Sequence, residues 1–365
     1  MKRLLLVCGE PSGEKYASLL IRELKKLDDI DFVGLGSHFV KDEIELLADY
    51  RDISVVGVKE AVPKLKRALE IYGKIKDVID DVDGVVLIDF PEFNFKVGKL
   101  AYKRKKKVVY YVAPQVWAWR SYRVKTMAKF CDKIITVFPF ERAFYRNFPH
   151  HEKVFYFGHP ILDVLDGKIG IHKEEDIVLL LPGSRKDEIS YNLPIIFDAA
   201  KNLKKRLPKF TFVWATGGNV DTDFIKNVKN KYPFIEVAED TYHMMDISKI
   251  AIVASGTATL ECAVFGLPMI IVYKISRLSY LLGRILVRRV KDIGLPNIIA
   301  GKKIVPELIG GNATPSYIEE LIIHILTNRS IYTSLKDRLS GVKSSLGKPG
   351  VSYSAASLIY NSFYS

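Results

Sequence analysis

Cysteine is scarce in this chain. Three residues in 365, Cys8, Cys131 and Cys262, are too few and too scattered for a disulfide framework or a zinc site. Neither CxxC nor HExxH occurs, and the sparse thiols fit a reducing compartment. Long apolar runs are also missing. The N-terminal apolar core, Leu4-Leu5-Leu6-Val7-Cys8, is shorter than the roughly 7–15 residues of a secretory signal. Between residues 250 and 273 only Glu261 is charged, yet Ser255-Gly256-Thr257 and Gly266-Leu267-Pro268 interrupt the stretch. It reads as strand, turn, helix, turn and strand inside a globular core, not as a membrane span. Acidic residues are outnumbered, 42 against 55 basic ones, for a net charge of +13. Such a chain prefers an acidic partner: nucleic acid, anionic lipid or a phosphorylated substrate. No zinc-finger, bZIP or RRM pattern appears, so nucleic acid is not expected as a partner. Internal repeats and low-complexity tracts are absent, which excludes solenoids and collagen-like assemblies.

What is present is an ordinary globular composition, 48% hydrophobic and 27% charged. At ~150 residues per domain the length suggests two domains. Short apolar runs alternate with amphipathic stretches. Strands are expected at 4–8, 32–35, 85–89, 108–112, 134–138 and 154–157. After Ser12, a candidate N-cap, Tyr16, Leu19, Leu20, Leu24 and Leu27 recur at helical spacing. Apolar density falls and charge rises across 166–175, a linker. Strands are expected again at 177–181, 211–215, 250–254 and 269–272. This is the pattern of two doubly wound α/β domains with parallel sheets covered on both faces. Ligands of such sheets bind beyond the carboxyl ends of the strands, so the chemistry belongs in the loops that follow them.

Five loops of that kind stand out. Gly9-Glu10-Pro11-Ser12-Gly13-Glu14 follows the first strand and opens a helix; it is neither a Walker A nor a GxGxxG motif, and a plain capped turn fits it equally well. Asp89-Phe90-Pro91-Glu92-Phe93-Asn94 puts a carboxylate at the end of a buried strand, as a general base or as a turn cap. Ala113-Pro114-Gln115-Val116-Trp117-Ala118-Trp119-Arg120 offers two aromatic faces and a guanidinium, for sugar, acyl chain or phosphate, or as a hydrophobic plug. Leu181-Pro182-Gly183-Ser184-Arg185 combines backbone N–H donors with an arginine clamp and is the better anion site. Ser255-Gly256-Thr257-Ala258-Thr259-Leu260-Glu261 adds more N–H donors and a carboxylate suited to ribose hydroxyls or to the helix dipole.

Other features are weaker. Asp81-Val82-Asp83 has a metal-binding DxD form but precedes a strand, at the wrong end for a site. His150-His151 has no third ligand in sequence reach. His159 lies on the approach between the domains, where it reaches either substrate or simply packs. From residue 274 to 291 there are six basic residues and no acid. On a helical wheel Arg277, Arg284, Arg288 and Lys291 fall within ~60°, which describes a membrane-surface helix or a solvated helix on the core.

Taken together the motifs resemble the lipid-A-disaccharide synthase family. The resemblance rests on the 9–14 loop, Val55-Val56-Gly57, residues 89–94, Val116-Trp117-Ala118-Trp119-Arg120, Phe138-Pro139-Phe140-Glu141, Gly158-His159-Pro160, residues 181–185 with Glu188, residues 255–261, and Leu295-Pro296-Asn297 with Ala300-Gly301. It spans residue 9 to about residue 314 and is poor beyond that. Glu14 and Glu92 each stand where the family usually has Asp. The resemblance implies a GT-B fold of two Rossmann-like domains facing a central cleft: 1–166 on the acceptor side, 167–342 for the UDP-sugar, and 343–365 a helix packing back on the first domain. It implies transfer of 2,3-diacylglucosamine from its UDP ester to 2,3-diacylglucosamine 1-phosphate, with UDP released and the anomeric carbon inverted. It implies no metal and no cofactor, a peripheral position on the cytoplasmic face of the inner membrane, contact with anionic lipid, and a homodimer as an open option.

On that basis Asp89 is expected as the base and Arg185 as the clamp on the leaving diphosphate. Gly183, Ser184, Ser255, Gly256, Thr257, Glu261 and Asn297 are expected on the UDP side. Ser12, Gly13, Trp117, Trp119, Arg120, His159, Arg277, Arg284 and Arg288 are expected on the acceptor and lipid side. Two rival readings stay open: a UDP-sugar epimerase of the same fold, and a non-catalytic nucleotide- or lipid-binding relative.

Overall fold

The computed structural model describes residues 2–37, 40–53, 61–118, 120–184, 186–218, 220–274 and 292–364. The chain forms two compact units. The first joins Met1–Val164 with Leu346–Ser365; the second is Leu165–Ser345.

Unit 1 is built on seven strands: β1 (Lys2–Cys8), β2 (Ile30–Gly36), β3 (Glu45–Asp49), β4 (Gly84–Ile88), β5 (Lys107–Tyr111), β6 (Lys133–Thr136) and β7 (Val154–Tyr156). They pair in parallel in the order β3-β2-β1-β4-β5-β6-β7. Leu4, Leu5, Leu6, Val7, Val85, Val86, Leu87 and Ile88 are wholly buried, because helices cover both faces of a parallel sheet. Its described helices up to residue 164 are α1 (Pro11–Leu27), α2 (Ala61–Val78), α3 (Pro91–Lys103), α4 (Arg123–Phe130), α5 (Glu141–Tyr145) and α6 (Ile161–Val164).

Unit 2 repeats the plan with β8 (Glu175–Leu181), β9 (Thr211–Ala215), β10 (Ile235–Ala238), β11 (Ser248–Ala254), β12 (Met269–Tyr273) and β13 (Glu307–Ile309). Their order is β10-β9-β8-β11-β12-β13, again parallel. Its described helices are α7 (Lys186–Arg206), α8 (Thr222–Lys231), α9 (Thr241–Ile247), α10 (Thr257–Phe265), α11 (Leu295–Ala300), α12 (Pro315–Thr327) and α13 (Arg329–Ser345). In both sheets the order reverses between the first and fourth strands. That places a topological switch point between β1 and β4 in unit 1 and between β8 and β11 in unit 2.

The last helix, α14 (Val351–Tyr364), belongs to unit 1, where it packs along α1. Asp163 holds its start, accepting from the backbone N–H of Gly350 and Ser352 at 2.6 Å each. At its end the Phe363 ring fills the space beside Gly84, 2.6 Å from where a Cβ would stand. Lys2 ties the first strand to both neighbours, pairing with Asp28 and donating to the Tyr360 hydroxyl at 2.8 Å.

The crossing into α14 explains the glycine before His159. Gly158 has φ +121°, and a Cβ there would lie 2.8 Å from the Leu346 carbonyl oxygen and 2.9 Å from Val351 Cγ2. Gly158→Ala is therefore expected to cost about 2 kcal/mol from backbone strain and overlap. Thermal unfolding with limited proteolysis of the C-terminal helix checks this: a lower midpoint and earlier release of the helix are expected, and wild-type behaviour in both would refute it.

Among the described residues no helix is long and apolar enough to cross a membrane.

Candidate active site

In unit 1 the loops that follow β1 and β4 meet at the switch point. A Cβ on Gly13, in the first turn of α1, would lie 3.5 Å from Asp89 Cβ. A Cβ on Gly9 would collide with the Phe90 ring at 2.0 Å. Gly9 thus leaves room for the turn that ends β4, and Gly13 lies in van der Waals reach of it. That turn is unusual: Asp89 and Phe90 both have φ +48°, and Val112, at the end of β5, has φ +56°. These are three of the five non-glycine positive-φ residues among the described residues. For β-branched Val112 the conformation is a genuine outlier.

Hydrogen bonds hold this strain. The Asp89 N–H donates to the Val112 carbonyl at 3.2 Å. The Asp89 carbonyl accepts from the Tyr110 hydroxyl at 2.7 Å and from Asn94 Nδ2 at 2.8 Å. Asn94, wholly buried, also reaches the Ile88 and Val7 carbonyls at 3.2 and 3.3 Å, clamping the ends of β4 and β1 together. Burial holds the Tyr110 hydroxyl well above its ordinary pKa, so it stays a donor. Clustered backbone strain fixed by its surroundings is a mark of functional sites. The half-buried Asp89 side chain is carried on that turn.

The neighbouring residues divide into those at the surface and those turned inward. Glu14 is wholly buried, and its carboxylate accepts from the Ser37 N–H at 2.5 Å and the Ser37 hydroxyl at 2.6 Å, which anchors α1 to the end of β2. Ser12 is partly exposed in the first turn of α1, where it makes no cap hydrogen bond; Glu10 holds the N-cap position. Arg120 pairs with Glu92, whose other oxygen takes Arg123 at 2.9 Å.

Trp117 is half-buried and fixed. Its Nε1 donates to Glu141 at 3.0 Å, and its ring stands edge-on to Phe140 and Phe138, with centroids 4.9 and 6.3 Å away. His159 is a correction to the expectation that it reaches a substrate. It is 95% buried, its Nδ1 accepts from the Ile161 N–H at 3.1 Å, and it packs against Tyr16 and Phe138. Burial lowers its pKa to about 3, so the ring is neutral and caps α6.

Glu141 closes the Phe138-Pro139-Phe140-Glu141 motif, for which the sequence suggests no role. It is wholly buried, and besides Trp117 it accepts from the Val137 and Phe138 N–H at 2.9 and 2.8 Å. Burial outweighs these donors and lifts its pKa to about 7. A carboxyl whose folded pKa is raised stabilises the fold fully below its unfolded pKa near 4.5 and loses that contribution as pH rises toward 7. The stability advantage of wild type over Glu141→Gln should therefore shrink by about 3 kcal/mol between roughly pH 4.5 and 7. Chemical denaturation of both proteins across that range tests this; parallel profiles would refute it.

In unit 2 the loops after β8 and β11 flank the second switch point. Gly183 has φ +122°, with Glu188 packed against it 2.9 Å from where a Cβ would stand. The exposed Ser184 donates its N–H toward Glu188 Oε2 at 3.4 Å. Ser255 is tied back, its hydroxyl donating to the Ile293 carbonyl at 3.2 Å. Gly256 opens α10 without a side-chain cap, and a Cβ there would meet nothing within 4 Å. The first-turn N–H groups at Thr257 suit an anion for that reason. Glu261, one turn into α10, accepts from the Tyr242 hydroxyl at 3.0 Å. Tyr242, stacked on Phe265 and under the Lys168 ammonium, has no sequence signal of its own.

Asn297 is the second correction. It is wholly buried and uses all four of its hydrogen-bonding positions internally. Nδ2 donates to the Val305 carbonyl at 3.0 Å and to Glu307 at 2.7 Å; Oδ1 accepts from the Ile304 and Val305 N–H at 2.7 and 2.9 Å. It shapes the loop and has nothing left for a ligand. Glu307, missed in the sequence, completes this knot by accepting from the Gly294 and Ile293 N–H at 2.9 and 3.0 Å. Asn192 links α7 to Lys274 in the same way, at 3.1 Å.

Val55-Val56-Gly57, Trp119, Arg185, Arg277, Arg284 and Arg288 lie outside the described residues. Asp83 of the DxD sequence accepts from the Arg3 N–H and the Tyr364 hydroxyl at the amino end of β4, away from the strained turn. Among the described residues no group of three or more His, Cys, Asp or Glu is arranged to hold a metal ion.

A family model described as lipid-A-disaccharide synthetase matches residues 4–357. The match therefore continues well past residue 314, where the motif resemblance had faded. Proteins named lipid-A-disaccharide synthase are similar across the whole chain. The one from Sulfurihydrogenibium sp. is 36% identical over 98% of both chains, and that from Syntrophus aciditrophicus is 37% identical over 97% of this chain and 96% of its own. Among solved structures, a Staphylococcus aureus MnaA–UDP complex superposes with TM-score 0.68 at 13% identity, covering 99% of this chain and 96% of that one. MurG from Acinetobacter baumannii does so with TM-score 0.57 at 15% identity, covering 99% and 100%. These structural likenesses show the fold, two parallel-sheet α/β units of the GT-B type.

Proposed function

Because the chain belongs to the lipid-A-disaccharide synthetase family, and is thereby a glycosyltransferase of lipid A disaccharide synthesis, we propose that its donor is UDP-2,3-diacylglucosamine and its acceptor 2,3-diacylglucosamine 1-phosphate. The products are the β-1,6-linked disaccharide 1-phosphate and UDP. The acceptor nucleophile is a primary hydroxyl with a pKa far above 7, so a base must take its proton in the transition state. Asp89 fills that role, and the observation that carries the reading is the strained, clamped turn that presents it.

The leaving diphosphate takes its stabilisation from the backbone N–H groups at Gly256-Thr257 together with Arg185, and from the Gly183-Ser184 turn once Glu188 yields the Ser184 N–H. Glu261, already within hydrogen-bond reach of the Tyr242 hydroxyl, accepts a ribose hydroxyl. The Neisseria meningitidis UDP-GlcNAc 2-epimerase bound to UDP-GlcNAc has the same fold at TM-score 0.62, and a UDP-sugar donor is consistent with that likeness. The net charge of +13 suits a peripheral position on an anionic membrane, at the cytoplasmic face of the inner membrane.

The test is an assay in detergent with labelled 2,3-diacylglucosamine 1-phosphate and the UDP-activated partner. A labelled disaccharide 1-phosphate is the expected product. Turnover of UDP-N-acetylglucosamine without any lipid acceptor would favour the epimerase reading. UDP binding with no turnover of either would favour a non-catalytic relative.

A further inference from the structure

The sheltered arginines beside the strained turn have no part in the mechanism above. Glu92 is the second residue of α3, three residues along the chain from Asp89, a span of at most about 11 Å. Its Oε1 and Oε2 receive Arg123 Nη1 and Nη2 at 3.0 and 2.9 Å, a bidentate fork, and Arg120 Nη1 shares Oε1. The Arg123 N–H donates to the Arg120 carbonyl at 2.9 Å, so both guanidinium groups hang from one turn.

The burial is the reverse of an ordinary surface bridge. The arginine side chains are only 27% and 17% exposed, while the carboxylate between them is 64% exposed. Arg123 is further fixed over the Phe95 ring, 5.0 Å from its centroid. Two preset cations thus meet solvent across one exposed anion. A carboxylate so exposed keeps its fork in contact with water and salt, where another anion competes for the same donors. A phosphate monoester offers a similar planar pair of oxygens, carries nearly twice the charge, and matches guanidinium forks bidentately.

We propose that Arg120 and Arg123 form the site for the phosphate monoester of the acceptor sugar, and that Glu92 is the counter-ion it displaces. The inference rests on the acceptor being a sugar 1-phosphate, as proposed above. It assigns to this pair the selection of a phosphorylated over an unphosphorylated sugar, and it makes Glu92 a competitor of the substrate.

The experiment compares Arg123→Gln and Glu92→Gln with wild type, using 2,3-diacylglucosamine 1-phosphate and its 1-O-methyl glycoside as acceptors. For Arg123→Gln, KM for the phosphorylated acceptor should rise on the order of 10- to 100-fold. Its KM for the UDP donor and for the methyl glycoside should stay near wild type. Glu92→Gln should move the other way, lowering KM for the phosphorylated acceptor. A purely structural ion pair would make both variants worse, on both acceptors alike, and that result would overturn the proposal. A change confined to the donor KM would assign the pair to UDP and overturn it too. If wild type makes no disaccharide, the functional reading fails. Calorimetric binding of the two glycolipids to the same three full-length proteins, without donor, then decides this inference alone.

Discussion

Asp89→Asn is expected to lower kcat by ~10²–10⁴, the usual worth of a general base, with the unfolding midpoint and the KM for the UDP donor close to wild type. The substitution keeps the size of the side chain, while it removes the charge and the capacity to take a proton and turns one acceptor oxygen into a donor. It also keeps the backbone bonds that hold the turn: the Asp89 N–H to Val112 and the Asp89 carbonyl to Tyr110 and Asn94. A fall in kcat therefore reports chemistry. Undiminished kcat in a folded variant would remove Asp89 from the role of base. A fall in midpoint together with kcat would make it a turn residue, the other option its position allowed.

The central strands were legible because parallel strands buried on both faces read as unbroken apolar runs. Residues 4–8, 85–88 and 250–254 are of this kind, and each lies within a central strand. The strands that escaped notice are β3, β10 and β13, all at sheet edges and each carrying an acid within three to five residues. Their runs are too short and too polar to separate from a loop by periodicity alone. Four strand ends were read one or two residues too far, at Asp89, Val112, Phe138 and Phe157; at Asp89 and Val112 the cause is the turn to positive φ. A β-branched valine has every propensity to continue a strand, and only tertiary hydrogen bonds hold it otherwise.

The loops of the site were legible as well, since their place after strands follows from topology. The direction of each polar side chain was not. Asn297 and His159 carry family-like motifs yet face inward, and Glu141, Glu307 and Asn94 are buried ties. One signal was available. A lone carboxylate in an apolar run, as in Phe138-Pro139-Phe140-Glu141 and Glu307-Leu308-Ile309, is expensive to bury unless backbone N–H groups wait for it. Such residues point to loop anchors before they point to catalysis.

Asn297→Asp should destabilise the protein by about 3–5 kcal/mol, the cost of leaving a buried charge uncompensated. In the native knot Nδ2 gives its two protons to the Val305 carbonyl and the Glu307 carboxylate. An aspartate oxygen in that place sets acceptor against acceptor and brings a second negative charge next to Glu307, where wild type has a 2.7 Å hydrogen bond. Two carboxylates forced together there favour a shared proton in the folded state. The deficit must therefore widen as pH rises and narrow as pH falls. Denaturation of both proteins at about pH 5 and about pH 8 measures this. The loss extends to function through Ser255, whose hydroxyl rests on the Ile293 carbonyl, one residue from the Gly294 N–H that Glu307 holds. A loosened knot releases the loop that opens α10, so UDP affinity falls together with stability. If donor KM instead rose while stability held at both pH values, Asn297 would be a ligand contact after all, and the inward-facing tether would be the wrong account.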